Sequence, residues 1–95
     1  MKGYIVNKSV EEVERVINKK ARIIGVWERA LWDWPRKYRS VHFLFDLTEE
    51  DIKKIKQHFP DAVISYVEYD ENVETLKWLG YVDVKNDKVI FEPVK

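Results

Sequence analysis

The sequence of 95 residues contains no cysteine, only three glycines, three prolines and one methionine. Without cysteine, disulfides and thiolate chemistry are excluded, and a metal site would have to be built from histidine and carboxylates. No apolar run approaches the roughly 20 residues that span a membrane. The first residues, Met1, Lys2 and Gly3, lead into a strand pattern rather than a signal peptide. We therefore expect a cytoplasmic protein without a membrane partner.

Net charge is also absent, because 17 basic residues balance 17 acidic ones. Bulk charge therefore favours neither a nucleic-acid partner nor an acidic ligand. The charged fraction of 36%, together with abundant lysine, glutamate, isoleucine and valine, is typical of a thermophile. Apolar residues make up 45% of the chain, which is enough for one modest core. We expect a single domain over residues 1–95.

Capping residues predict the first two helices. Ser9 and Glu12 match the Ser-x-x-Glu capping box at the start of a helix over about residues 10–20. A second helix begins after Thr48, where Asp51 takes the place of the glutamate, and Pro60 ends it.

Strands are predicted from alternation and from apolar runs. Residues 4–6 and 23–27 form short strands, and residues 41–47 place Val41, Phe43, Phe45 and Leu47 on one face. Residues 62–69 are apolar on both faces, which is typical of a central strand covered on each side. Residues 29–40 could extend the preceding strand into a hairpin, but Pro35 and the clustered charges favour a long loop.

The last third of the chain predicts a third helix and a hairpin. Val73, Leu76 and Leu79 form a helical stripe over residues 72–79, and Gly80 fits a left-handed C-cap. Strands over residues 81–84 and 89–91 follow, joined by a turn at residues 86–87 whose Asn-Asp pair tolerates positive φ.

The resulting order, β-α-β-β-α-β-α-β-β, predicts an α/β (α+β) fold with a single small mixed sheet. Residues 1–69 alone give the ferredoxin-like order of many RNA-binding modules, with a C-terminal helix and hairpin added. Residues 72–81, Asn-Val-Glu-Thr-Leu-Lys-Trp-Leu-Gly-Tyr, resemble the Asn-led helix ending in Leu-Gly-Phe of the GNAT N-acetyltransferases. The chain as a whole resembles a shortened GNAT domain and is similar to small GNAT-like proteins of phages. A Leu-Gly-aromatic ending also arises from helix capping alone.

The resemblance implies an acyl-CoA-dependent acetyltransferase, but the residues at its key positions differ. The family's pyrophosphate loop contains glycines and a Gln or Arg, whereas residues 46–51 read Asp-Leu-Thr-Glu-Glu-Asp and would repel a pyrophosphate. Leu76 stands where the family has a proton-donating tyrosine. His42 and His58 have no partner at metal-ligand spacing. We therefore predict no cofactor and no metal, and these differences favour a protein that is not an enzyme without excluding the acetyltransferase alternative.

One segment is rich in side chains typical of binding sites. Residues 29–40 contain four basic residues and one acid, and three tryptophans lie within residues 27–34. Tryptophan and arginine are frequent anchors of protein interfaces, and both also stack on bases. The candidate binding residues are Trp27, Arg29, Trp32, Trp34, Arg36, Lys37, Tyr38 and Arg39. The same pattern also fits a β-hairpin in which Trp27 and either Trp32 or Trp34 belong to the core.

The leading hypothesis is a non-catalytic interaction module on a GNAT-like scaffold. It would bind a protein partner or a second copy through segment 27–39, and nucleic acid is the other partner class that this segment fits. One alternative is a minimal acyl-CoA-dependent N-acetyltransferase. Another is an RNA-binding ferredoxin-like module that stacks bases on exposed sheet residues such as Tyr4, Phe43 and Phe45.

Overall fold

The computed structural model describes residues 1–29 and 37–94, which form an α+β fold. None of its helices is long and apolar enough to cross a membrane. The elements in chain order are β1 (Lys2–Val6), α1 (Val10–Ile17), β2 (Arg22–Arg29), β3 (Lys37–Leu44), α2 (Glu49–His58), β4 (Ile64–Asp70), β5 (Thr75–Lys85) and β6 (Lys88–Pro93).

The strands form two sheets, one with four strands in the order β1-β4-β5-β6 and one made of β2 and β3. All ladders between these strands are antiparallel. The prediction of one mixed sheet is therefore wrong. Tyr4 and Phe45 join the two sheets through a pair of backbone hydrogen bonds of 2.9 and 2.8 Å.

The predicted third helix is wrong, because residues 71–74 form a turn and β5 begins at Thr75. Gly80 is not a left-handed C-cap, since its φ is not positive. It lies inside β5, where an added Cβ would collide with the carbonyl oxygen of Glu92 and the ring of Phe91. The glycine is needed for the close approach of β6, and pairing of β5 with both neighbours outweighs the helical spacing of the apolar residues.

Helices α1 and α2 pack on one face of the four-stranded sheet, as their apolar spacing predicts. The capping box of α2 is confirmed: Thr48 N donates to Asp51 Oδ2 at 3.0 Å, and Asp51 N donates to Thr48 Oγ1 at 3.2 Å. The box predicted at Ser9 is wrong, because its side chain caps no backbone group, and α1 ends at Ile17. The helix-side core consists of Val6, Val13, Ile17, Phe45, Leu47, Ile52, Ile55, Ala62, Ile64 and Val82.

The β2–β3 hairpin covers part of the opposite face of the four-stranded sheet. Its buried side chains are Ile24, Val26 and Leu44, which pack on Val67 and Tyr69 of β4. Because Ile64 belongs to the helix-side core, β4 is a central strand covered on each side, as predicted. The long loop favoured for residues 29–40 is wrong at its two described ends, because Arg29 belongs to β2 and residues 37–40 belong to β3. The two strands pair from Arg22 opposite Leu44 to Arg29 opposite Lys37, as in the hairpin alternative.

Candidate protein-binding surface

Alternation along β2 and β3 places a second set of side chains on the outer face of the hairpin. Since Ile24 and Val26 point into the core, the residues between and beside them point outward. Their cross-strand partners point outward too, because directly opposed residues share a face. This outer surface, which we call the hairpin patch, carries the side chains of Ile23, Trp27, Arg39, Val41 and Phe43.

The apolar members of the hairpin patch are well exposed. The exposed fraction is 68% for Ile23, 62% for Val41, 44% for Trp27 and 36% for Phe43. Val41 and Phe43 continue the row of Phe45, which is buried beneath the helices. Helices of 8 and 10 residues are only about 12–15 Å long. They cover Phe45 and Leu47 but leave the outer face of β2 and β3 uncovered.

Arg39 is anchored beside the exposed ring of Trp27. Its guanidinium lies across Gly25, where an added Cβ would come within 2.8 Å of Cζ. The same group forms an ion pair with the carboxylate of Glu74 in the turn before β5. Its Cζ lies 6.0 Å from the centre of the Trp27 ring. A half-exposed positive charge is therefore held in place over Gly25, between the apolar side chains of Ile23 and Trp27.

Backbone hydrogen bonds fix the position of the hairpin patch on the rest of the fold. Trp27 N donates to the carbonyl oxygen of Glu74 at 2.8 Å. Two residues away, the hydroxyl of Tyr69 donates to the carbonyl oxygen of Gly25, also at 2.8 Å. Because both bonds use the edge of β2 that faces away from β3, the hairpin is attached along one side and its outer face stays open.

The predicted binding residues have different outcomes. Trp27 and Arg39 lie opposite each other and belong to the hairpin patch. Tyr38 is half exposed but alternates to the inner side of the hairpin, where its hydroxyl bonds Glu28. The remaining predicted side chains, those of Arg29, Trp32, Trp34, Arg36 and Lys37, lie outside the described part of the chain.

A polar cluster lies on the inner side of the hairpin, beyond the core. His42 Nε2 lies 3.0 Å from Ser40 Oγ and 3.4 Å from Glu28 Oε1. The hydrogen bond with Glu28 raises the pKa of Tyr38 above its usual value. Ser40 and Glu28 contact the same ring nitrogen, whereas a Ser-His-acid relay needs both nitrogens of the imidazole. The cluster therefore ties the two strands together and does not activate Ser40.

The start of α2, where the resemblance implies a pyrophosphate loop, is occupied by internal contacts. Lys19 Nζ lies 2.5 Å from Asp51 Oδ2. Burial raises the pKa of Asp51, but hydrogen bonds from Lys19 and Thr48 outweigh it and hold this pKa below the usual value. Leu76, at the implied proton-donor position, packs against the hairpin-side core. Among the described residues, no group of three or more His, Asp or Glu is arranged to hold a metal ion.

Three aromatic rings form a row across the helix side of the four-stranded sheet. The ring centres of Tyr4 and Tyr66 are 4.9 Å apart, and those of Tyr66 and Phe91 are 5.9 Å apart. Burial raises the pKa of Tyr4, and the neighbouring Tyr66, Asp46 and Glu49 raise it further. Two carboxylates beside the row disfavour the approach of a phosphate backbone.

The aromatic residues predicted for RNA stacking do not share this row. Only Tyr4 belongs to it, because Phe43 is part of the hairpin patch. The prediction that Phe45 is exposed is wrong, since helix packing leaves only 2% of it accessible.

Sequence reasoning missed Ile23 and Val41 as site residues, and it named Phe43 only as a base-stacking residue of the RNA-binding alternative. Their alternation is also typical of a strand with one buried face, and apolar side chains in such a pattern lie in a core more often than on an exposed surface. A usable signal was present in residues 23–27, which are apolar on both faces. A strand of that kind must be covered on both sides, whereas the three short helices predicted from the sequence cannot cover every strand.

No protein-family model matches the chain, and no curated protein or solved structure is significantly similar to it. Residues 72–81, which carried the resemblance to acetyltransferases, form a turn and the first part of β5 instead of a helix. The resemblance stays a prediction, and the cofactor and residue roles that it implies gain no support from a matching family.

Proposed function

We propose that this protein is a non-catalytic module that binds another protein through the hairpin patch. The observation that carries the proposal is the grouping of four large apolar side chains, each between 36% and 68% exposed, on one face of two paired strands. Single exposed apolar residues are ordinary on protein surfaces, but a contiguous group marks an interaction site. We expect the module to act in the cytoplasm.

The chemistry of the patch defines the partner. The exposed apolar side chains of the patch require a partner with apolar side chains, and Trp27 is the type of anchor that dominates such interfaces. Arg39 adds a positive charge over Gly25, and residues 29–40 contain four basic residues against one acid. The partner should therefore be a protein surface or segment that combines apolar residues with acidic ones.

We infer a ferredoxin-like arrangement for residues 2–70, extended by β5 and β6. It is supported by the order βαββαβ and by the neighbours β2-β3-β1-β4, in which β3 meets β1 at Phe45 and Tyr4. RNA-binding modules of this order use the sheet face opposite the helices to stack bases. In this chain Val67 and Tyr69 on that face lie beneath the hairpin. This packing favours protein binding at the hairpin patch over RNA binding.

Peptide display on the full chain tests the proposal with a defined probe. Peptides selected from a random library should combine apolar and acidic residues and should bind the purified protein. Ile23→Lys places a charge beside Phe43, where the exposed fraction of the patch is highest, and should weaken their binding at least about tenfold. The matched control is Val63→Lys, which changes an exposed apolar residue before β4 and should leave binding unchanged.

Two outcomes would contradict the proposal. One is a set of selected peptides that bind wild type and Ile23→Lys equally well. The other is a protein that selects no peptide but binds single-stranded RNA with a strong dependence on salt.

A further inference from the structure

The outer edge of β6 has the features of a second interaction surface, independent of the hairpin patch. We propose that two copies of this chain pair antiparallel through this edge, so that two four-stranded sheets become one sheet of eight strands. The proposal rests on the backbone groups at the edge, on the direction of its side chains and on its charges.

The turn between β5 and β6 determines which backbone groups are free. Asn86 and Asp87 both have positive φ, 52° and 60°, which is typical of a two-residue type I′ turn. Lys85 and Lys88 on either side of it then form a hydrogen-bonded pair, and every second pair after them does too. The N–H and C=O groups of Val89 and Phe91 therefore point away from β5. No described residue forms a backbone hydrogen bond with them there.

Side chains leave this edge accessible. The ring of Phe91 lies over Gly80 and meets the ring of Tyr66 edge-on, so it leans across β5 and away from the free edge. Val89 packs on the helix-side core. On the other face of the sheet Ile90 is exposed, next to the exposed ring of Tyr81.

One antiparallel register pairs the free backbone N–H and C=O groups of the edge and also places its opposite charges against each other. A twofold axis perpendicular to the sheet and midway between the two copies of Ile90 places Val89 opposite Phe91 of the second copy, and Phe91 opposite Val89 of the second copy. Because each is a hydrogen-bonded pair with two bonds, the edge gains four backbone hydrogen bonds. Ile90 meets its own counterpart, and Lys88 lies opposite Glu92 of the second copy.

The charges select this register over its neighbours. Shifting the strands by two residues in one direction places Lys88 opposite Ile90, and in the other direction places Glu92 opposite Ile90. Either shift loses both Lys–Glu pairs and sets a charge against an apolar side chain. All three registers keep the helices of both copies on the same side of the joined sheet, so the charges decide between them. The occupant of the β6 edge is therefore a second copy of this chain.

Sedimentation over a range of protein concentrations tests the pairing. Wild type should dimerise in a concentration-dependent way, and Ile90→Lys, which sets two lysines against each other at the axis, should weaken association at least about tenfold. Ile23→Lys is the matched control: it adds the same charge to the hairpin patch and should leave the dimer unchanged. Peptide binding should respond in the opposite way, because Ile23→Lys should weaken it and Ile90→Lys should leave it unchanged. Failure of the dimer proposal is therefore distinguishable from failure of the peptide-binding proposal.

A charge exchange tests the register itself. Lys88→Glu or Glu92→Lys alone replaces two attractive pairs by two repulsive ones and should weaken the dimer about tenfold. The double variant Lys88→Glu/Glu92→Lys should restore it, because the pairs re-form with reversed sign. A wild type that stays monomeric up to about 1 mM would overturn the proposal. So would a dimer of equal strength in Ile90→Lys, or a double variant no stronger than the single ones.

Discussion

The helix-side core and the hairpin patch are built from the same residue types and differ in what covers them. Ile55 in the core is 0% exposed, whereas Ile23 in the patch is 68% exposed. Burying such a side chain stabilises the fold by about 1.5–3 kcal/mol, and an exposed one contributes almost nothing. Isoleucine at position 23 is thus not explained by folding of this chain alone. The difference indicates that the patch serves an interaction.

The sharpest test of this comparison is alanine substitution of the two isoleucines. Ile55→Ala leaves a cavity in the core and should lower the free energy of unfolding by about 2–5 kcal/mol. Ile23→Ala removes a similar volume from an open surface and should change it by less than about 0.5 kcal/mol. Urea unfolding measures both. Equal losses would mean that the hairpin patch is covered within the folded chain.

The two strand glycines extend the comparison to the backbone. At Gly80 an added methyl group meets the backbone of Glu92, so Gly80→Ala should cost about 1–3 kcal/mol of unfolding free energy. At Gly25 the three atoms nearest the methyl group all belong to the flexible guanidinium of Arg39. Gly25→Ala should displace that group from Glu74 and cost no more than about 1 kcal/mol. Denaturant unfolding checks both values, and a larger loss for Gly25→Ala would contradict the described packing of the hairpin.

Acid unfolding tests the link between the helices on the core side. The pKa of Asp51 is lowered in the folded state, so its stabilising effect is complete above the unfolded pKa of about 3.9 and is lost as the pH falls toward the folded value. Asp51→Asn should cost about 1 kcal/mol at neutral pH and reduce the loss of stability below pH of about 5. Glu50→Gln, an exposed change in the same helical turn, should keep the wild-type pH profile of unfolding free energy. A wild-type profile for Asp51→Asn would contradict this role.

Locally determined elements of the fold could be predicted from the sequence. Helix α2 follows from Thr48 and Asp51, and the turn at Asn86 and Asp87 follows from residues that tolerate positive φ. The third helix failed because Leu76 fits a helical stripe and also fits alternation in a strand. The choice between helix and strand is decided by pairing with β4, and that pairing depends on the whole fold.

The candidate site was predictable in part. Trp27 and Arg39 were found because their residue types and clustering are typical of binding surfaces. Alternation correctly placed Val41 and Phe43 on one face with Phe45. It could not show where coverage by the helices ends, because that depends on the length and placement of α1 and α2. Exposure of the patch is therefore a property of tertiary structure.

Val41→Lys tests the central claim most directly when stability and binding are measured on the same protein. The substitution places a charge in the middle of the hairpin patch, beside Arg39. We predict an unfolding free energy within about 0.5 kcal/mol of wild type, together with at least tenfold weaker binding of the selected peptides. A large loss of stability would show that Val41 belongs to the core. Unchanged peptide affinity would show that the patch is not the binding surface.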